Sequence, residues 1–231
     1  MTLDFIGYTV LIAAVVINIA AFTNALDVST PARYAVTAVA GIWAGLQVAF
    51  YNAGAFQAPF TLDAPLVGAM VATPLIVVGI AAAVSERVRS TLLAVPMPLL
   101  IGLNVMRVLG GFFLLLAASG RLGGPFPYSA GWGDIITGAL AVPVALAAAR
   151  GSASPSSIWW WNLFGMLDLI AAITLGTLSS NGFAYQVIVA GEGSAAVQHM
   201  PWLLIPTVLV PFYLITHGIV FAQLRQRRAG H

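Results

Sequence analysis

The sequence contains no cysteine and no lysine, and only 7% of its residues are charged. Each absence removes a chemistry. Without cysteine there are no disulfides, thiolate metal sites, iron–sulfur clusters or thiol nucleophiles. Without lysine there is no Schiff-base amine, so a retinal pigment is excluded. Histidine is almost as scarce, at three residues. Only His217 lies inside an apolar run, which is too few for a haem gripped between two helical histidines. A zinc hydrolase needs three or more His, Asp or Glu ligands. Asp134, Asp168 and His217 read at three different depths and are not expected to converge. No HExxH, P-loop or GxSxG motif occurs, and no serine stands beside a histidine as a triad requires. No cofactor and no metal are expected.

What is present is apolar surface. The chain of 231 residues is 60% hydrophobic, with mean hydropathy +0.97. A water-soluble domain carries about 25% charged residues, so this chain belongs in a bilayer. Residues 1–231 read as a single integral membrane domain with no room for a separate soluble one. The net charge of +2 gives no case for a nucleic-acid partner. An all-arginine, alanine- and glycine-rich chain points to a GC-rich bacterial genome, hence to a bacterial cytoplasmic (inner) membrane.

Seven apolar runs are each close to the roughly 20 residues that cross a bilayer. They fall at 5–23, 34–51, 65–84, 96–118, 132–149, 158–178 and 201–222. This predicts an all-α membrane protein, a seven-transmembrane-helix bundle. Pro74, Pro143, Pro206 and Pro211 read as kinks, because neighbouring helices can satisfy a freed carbonyl. The first run has no positive n-region and reads as a span, not a cleaved leader. Arg33, Arg87, Arg89, Arg150, Arg225, Arg227 and Arg228 fall on one side, and only Arg121 on the other. The positive-inside rule then puts the N-terminus outside and the C-terminus in the cytoplasm. Seven-helix sugar uniporters share this topology, but the Pro-Gln dipeptide of that family's wider group does not occur here.

The outer connections, Asn52–Ala64, Ser119–Gly131 and Ser179–Met200, are the long ones. They carry Phe56, Phe60, Phe126, Tyr128, Phe183 and Tyr185, and they either cap the helix ends or form a vestibule. Tyr185–Ala190 reads as a short strand or an interfacial segment. The inner connections Ser85–Val95 and Gly151–Ser157 read as short loops. Trp132, Trp159, Trp160, Trp161 and Trp202 read as an aromatic belt, and Trp43 as packing. Gly41 and Gly45 form a GxxxG, a weak sign of close helix contact. Gly131–Ile135 and Trp161–Asp168 look like motifs with no activity attached.

Inside the apolar runs stands a ladder of polar groups. At 1.5 Å per residue, Arg107 and Asp168 both lie about 15 Å from the inner boundary, near the midplane of a core about 30 Å thick. An unpaired arginine there costs on the order of 2.5–3.5 kcal/mol, so an Arg107–Asp168 pair is expected. Asp134, placed near the outer boundary, is the other acid within reach by snorkelling. Asn104 and Arg107 share a face at i, i+3, with Gly111 continuing it. Asn18, Asn104, Asn162 and His217 fall in the inner half, Gln47 slightly outside the midplane, and Tyr51 and Asn52 further out. Asn162 and Asp168 point about 120° apart.

Two explanations compete for this ladder. As structure, it ties helices together at roughly 0.6–2 kcal/mol per contact. As function, Arg107, Asp168, Asn104, Asn162, Asp134 and His217 line a polar cavity for a ligand. The leading expectation is binding or transport of a small anionic or weakly polar solute, with Arg107 as anchor and Asp168 as counter-ion or proton-coupling group. The alternatives are an enzyme on a lipid or isoprenoid substrate, with Asp134 or Asp168 as general acid/base, and a structural subunit of a membrane complex. The bilayer is the expected partner, with a small-molecule ligand; the oligomeric state is left open.

Overall fold

The computed structural model describes residues 2–56, 63–182 and 186–229. It is helical throughout, and among the described residues it contains no strand. The helices are α1 (Leu3–Asn24), α2 (Thr30–Asn52), α3 (Asp63–Val84), α4 (Glu86–Ala94), α5 (Met97–Leu103), α6 (Gly111–Ala118), α7 (Phe126–Ala149), α8 (Pro155–Leu178) and α9 (Val210–Ala229). A 3-10 segment, Asn104–Gly110, joins α5 to α6. A π-helical turn, Ile205–Leu209, leads into α9. Seven helical spans are long and apolar enough to cross a membrane, with Met97–Ala118 as the fourth and Ile205–Arg228 as the seventh. The chain is a multi-pass membrane protein.

Most span ends agree with the apolar runs to within four residues; two do not. α7 starts at Phe126, six residues before the apolar run at 132. Pro127 sits in its first turn, where a missing N–H costs nothing. α9 continues to Ala229, seven residues past 222, with Arg227 and Arg228 in its last turn where the helix dipole favours cations. The expected loop Ser85–Val95 contains the amphipathic α4, capped by Ser85, whose side chain accepts from Val88 N–H.

Helix α7 is the centre of the bundle. It packs against the 3-10 segment, α5, α6 and α8, while α9 packs against α8, α3 and α5. Glycines permit the closest of these approaches. A Cβ at Gly138 would meet the backbone nitrogen of Val108 at 2.8 Å, and one at Gly131 would meet Leu114 at 2.8 Å. α2 lies at the periphery, with Gln47 its one buried residue, and Gly41 and Gly45 face open space.

Pro211 cannot supply the N–H that would bond the carbonyl of Thr207 in an α-helix. The Trp43 indole donates to that carbonyl instead, at 3.0 Å. Trp43 is thus a packing residue with a defined hydrogen-bonding task.

One end of the bundle is closed by the chain between α8 and the π turn. Ser194 donates to the carbonyl of Gly176 at 2.7 Å, and Gly123 N–H donates to the carbonyl of Gly193 at 2.8 Å. Residues 186–190 are irregular, so the expected strand is not formed there; Val187 and Ile188 N–H groups both turn back to the Leu178 carbonyl. Phe60, Phe183, Tyr185 and the terminal His231 lie outside the described residues. Phe56 and Phe126 are buried, whereas Tyr128 is exposed.

The expected aromatic belt divides. Trp132 and Trp160 are exposed as a belt requires, but Trp161 and Trp202 are buried. Trp202 donates its indole N–H to Asp4 at 2.8 Å, and the same carboxylate oxygen accepts from Arg121 at 2.8 Å. An indole that finds an acceptor can be buried outright.

Candidate functional site

The fourth span breaks from α to 3-10 geometry where its polar residues occur. With three residues per turn, positions i, i+3 and i+6 eclipse. Asn104, Arg107 and Gly110 therefore share one buried face. Gly110, not Gly111, continues the stripe. Seven residues is long for a 3-10 run, and such a stretch inside a span marks strain or a hinge.

Arg107 is 2% exposed. Its Nε donates to Asp134 Oδ1 at 2.7 Å, and Nη2 donates to Asp168 Oδ2 at 2.5 Å. Nη1 donates to the Gly165 carbonyl at 2.9 Å and lies 3.0 Å from His217 Nε2. The guanidinium carbon also stands 5.9 Å from the centroid of the Tyr213 ring, within cation–π range. Four spans meet on one side chain.

Asp134 and Asp168 both bind the arginine, where an Arg107–Asp168 pair was the leading expectation. The reason is the early start of α7. Asp134 lies eight residues inside Phe126–Ala149, about 12 Å from its start, and so reaches the level of Arg107. His217 joins them. The expectation that Asp134, Asp168 and His217 stand too far apart in depth to converge is corrected: they converge on a guanidinium. Among the described residues, no group of three His, Asp or Glu side chains is placed to hold a metal ion.

The hydrogen bonds assign the His217 tautomer. Asn162 Nδ2 donates to the His217 carbonyl at 3.0 Å, which turns Asn162 Oδ1 toward the ring. That oxygen lies 2.7 Å from Nδ1. An amide oxygen only accepts, so Nδ1 carries the hydrogen and Nε2 offers its lone pair to Arg107. Asn162 thus acts on the arginine through His217. Next to it, Trp161 donates to the Thr137 carbonyl at 3.1 Å.

Glycines make the room. A Cβ at Gly133 would fall on the Asp168 carboxylate, and one at Gly110 on Asp134. A Cβ at Gly165 would stand 2.7 Å from His217. The two unassigned motifs, Gly131–Ile135 and Trp161–Asp168, are therefore two walls of one site. Asn104, by contrast, does not touch the cluster; its Nδ2 bonds the Leu100 carbonyl at 2.9 Å, and its Oδ1 has no partner among the described residues.

A cavity of about 70 Å³ lies beside the cluster. Val67 and Val71 of α3, Ala172 and Gly176 of α8, and Pro206 of the π turn are among its walls. α3 and α8 both pack on α9 but scarcely on each other, and the cavity lies between them. Among the described residues, Asp134 is the one charged residue that lines it. Its Oδ2 has no hydrogen-bond donor among the described residues, and its side chain keeps 12% of its surface accessible. Residue order gave no sign of this cavity, because it depends on which helices are neighbours.

These features define a class: a multi-pass membrane protein with a buried ion cluster beside an apolar cavity. Residues 64–225 match a family described as a domain of unknown function, DUF8737, and the chain belongs to that family. The match spans every member of the cluster. No curated protein and no solved structure matches the chain.

Proposed function

We propose that the protein binds a small, mainly apolar solute in the cavity between α3 and α8 and passes it across the membrane, with Asp134 as the polar contact. One observation carries this reading: the apolar cavity is lined by Asp134, whose Oδ2 has no donor among the described residues. The breaks support movement, since secondary transporters build midplane sites from discontinuous helices. Here the 3-10 segment holds Arg107, and the π turn lines the cavity. Arg107 takes a different role from the expected anion anchor. Its hydrogen bonds already go to two carboxylates, a carbonyl and an imidazole, so it orients Asp134 from behind.

In this reading the chain lies in a bacterial cytoplasmic membrane with its N-terminus outside. The absence of native cysteine makes that simple to test. Ser119→Cys and Ser152→Cys, at exposed positions on opposite ends of the bundle, should be labelled by an impermeant maleimide in intact cells at Ser119→Cys alone.

The binding test uses ten-carbon probes, 1-decanol and decylammonium, with purified protein in lipid nanodiscs. A ligand at about 100 times its Kd stabilises by about 2.7 kcal/mol, or roughly 5–10 °C for a chain of this size. Ala172→Phe should fill the cavity and abolish the shift. An equal shift in this variant, or no shift with either probe, would overturn the reading. A carboxylate in an apolar cavity also favours an enzyme acting on a lipid or isoprenoid substrate, with Asp134 as acid or base. Incubation with radiolabelled polar lipids and chromatography of the products separates the two: only an enzyme yields a new species.

A further inference from the structure

The charges at the site do not balance. Arg107 of the 3-10 segment brings one positive charge, and Asp134 of α7 and Asp168 of α8 bring two negative ones. The other groups facing them are an imidazole whose Nε2 acts as an acceptor, a phenol and an amide, none of which brings a positive charge. His217 of α9 presents an acceptor lone pair to Arg107, Tyr213 of α9 accepts from Asn18 of α1 at 3.2 Å, and Asn162 of α8 is an amide. An uncompensated charge within an apolar bundle is costly. The cluster is complete only with one further monovalent cation. The place for it is marked by the oxygens that Arg107 leaves free, Asp134 Oδ2 and Asp168 Oδ1, and Asp134 lines the cavity.

Resting on the cavity reading above, we propose that the solute is an amine with an apolar body, and that each ammonium bound displaces one proton from the Asp134–Asp168 pair. The empty site holds the proton; the occupied site holds the ammonium. The exchange balances: one positive charge arrives from solution on nitrogen, one leaves to water as a proton, and no covalent bond of the solute changes. The walls suit an apolar body, since Val67, Val71, Phe113, Leu169 and Ile173 line the cavity; at about 70 Å³ it encloses the carbons next to the head, and a longer tail extends beyond it. The cluster suits the head, since an ammonium donates hydrogen bonds and a carboxylate oxygen without a donor accepts one.

The test is a proton count on the full-length protein in phosphatidylcholine nanodiscs at pH 7. Decylammonium is titrated in by calorimetry, in two buffers of different ionisation enthalpy, against protein-free nanodiscs. An alkylammonium stays charged at this pH, as the lysine side chain does. About one proton should be released per decylammonium bound. 1-Decanol should release none and bind at least tenfold more weakly. Asp134→Asn, which keeps an acceptor for Arg107 Nε, should lose decylammonium affinity at least tenfold. Ala172→Phe, away from the cluster, should lose both probes. Decylammonium binding without proton release, or no tighter than decanol, overturns the exchange while leaving the cavity reading intact. Failure of both probes to bind overturns both.

Discussion

Arg107 is held on every polar side. Its two carboxylates, the Gly165 carbonyl and the His217 ring nitrogen all turn toward it. Removing one partner of a buried pair costs about 3–5 kcal/mol, whereas replacing a whole cluster by apolar residues is often near neutral. Arg107→Met should therefore reduce thermal stability by that amount. Arg107→Met combined with Asp134→Leu and Asp168→Leu should recover most of it, yet bind no decylammonium. The glycines give a second contrast, read by the same unfolding assay. Gly133→Ala pushes into the Asp168 carboxylate and should destabilise by more than about 2 kcal/mol. Gly41→Ala on the open face of α2 meets nothing within 4 Å and should be neutral or slightly stabilising. Arg107, Asp134, Asp168, Asn162 and His217 could be picked from the chain as charged or polar residues at apolar runs, whereas the Gly165 carbonyl could not. What could not be read there was the depth of Asp134, because hydropathy sees Pro127–Gly131 as a loop while Pro127 marks a helix start.

At the scale of elements, all seven spans were legible, because apolar length is a strong signal in a bilayer. The breaks inside them were not. Asn104–Gly110 has no proline, and its 3-10 geometry follows from close packing on α7, where Gly138 admits the Val108 backbone. The π turn was half legible: Pro211 announces a free carbonyl at Thr207 but not which side chain will claim it. A double-mutant cycle tests that account. Trp43→Phe should cost about 1 kcal/mol in the native chain, the usual worth of a buried hydrogen bond. In a Pro211→Ala background, where residue 211 regains its N–H, the same change should cost measurably less. Equal costs in both backgrounds would show that the indole and the proline act independently.

For the whole molecule, helix adjacency was the missing information. Depth along each helix follows from residue counting, but neighbours around the bundle follow from packing. The gap between α3 and α8 could only appear once α9 was seen to separate them. The closed end is tied by one residue of α1. Asp4 accepts from both Arg121, just beyond α6, and Trp202, just before the π turn. Asp4→Ala should therefore loosen the cap without melting the bundle. Hydrogen exchange should rise several-fold across residues 186–204 and stay unchanged in α7 and α8.

The ion cluster also sets an order of assembly. Its three charges sit on the fourth, fifth and sixth spans, which leave the ribosome one after another. The arginine emerges first, at a cost of roughly 2.5–3.5 kcal/mol if it enters lipid alone. Asp134 follows 27 residues later and Asp168 61 residues after Arg107, so the counter-charges arrive in turn. The fourth and fifth spans are thus best inserted as a hairpin already joined by the Arg107–Asp134 bond. His217, on the last span, can reach the arginine only when synthesis is nearly complete. A chain that stalls after Ala118 carries the arginine without either of the carboxylates that pair with it.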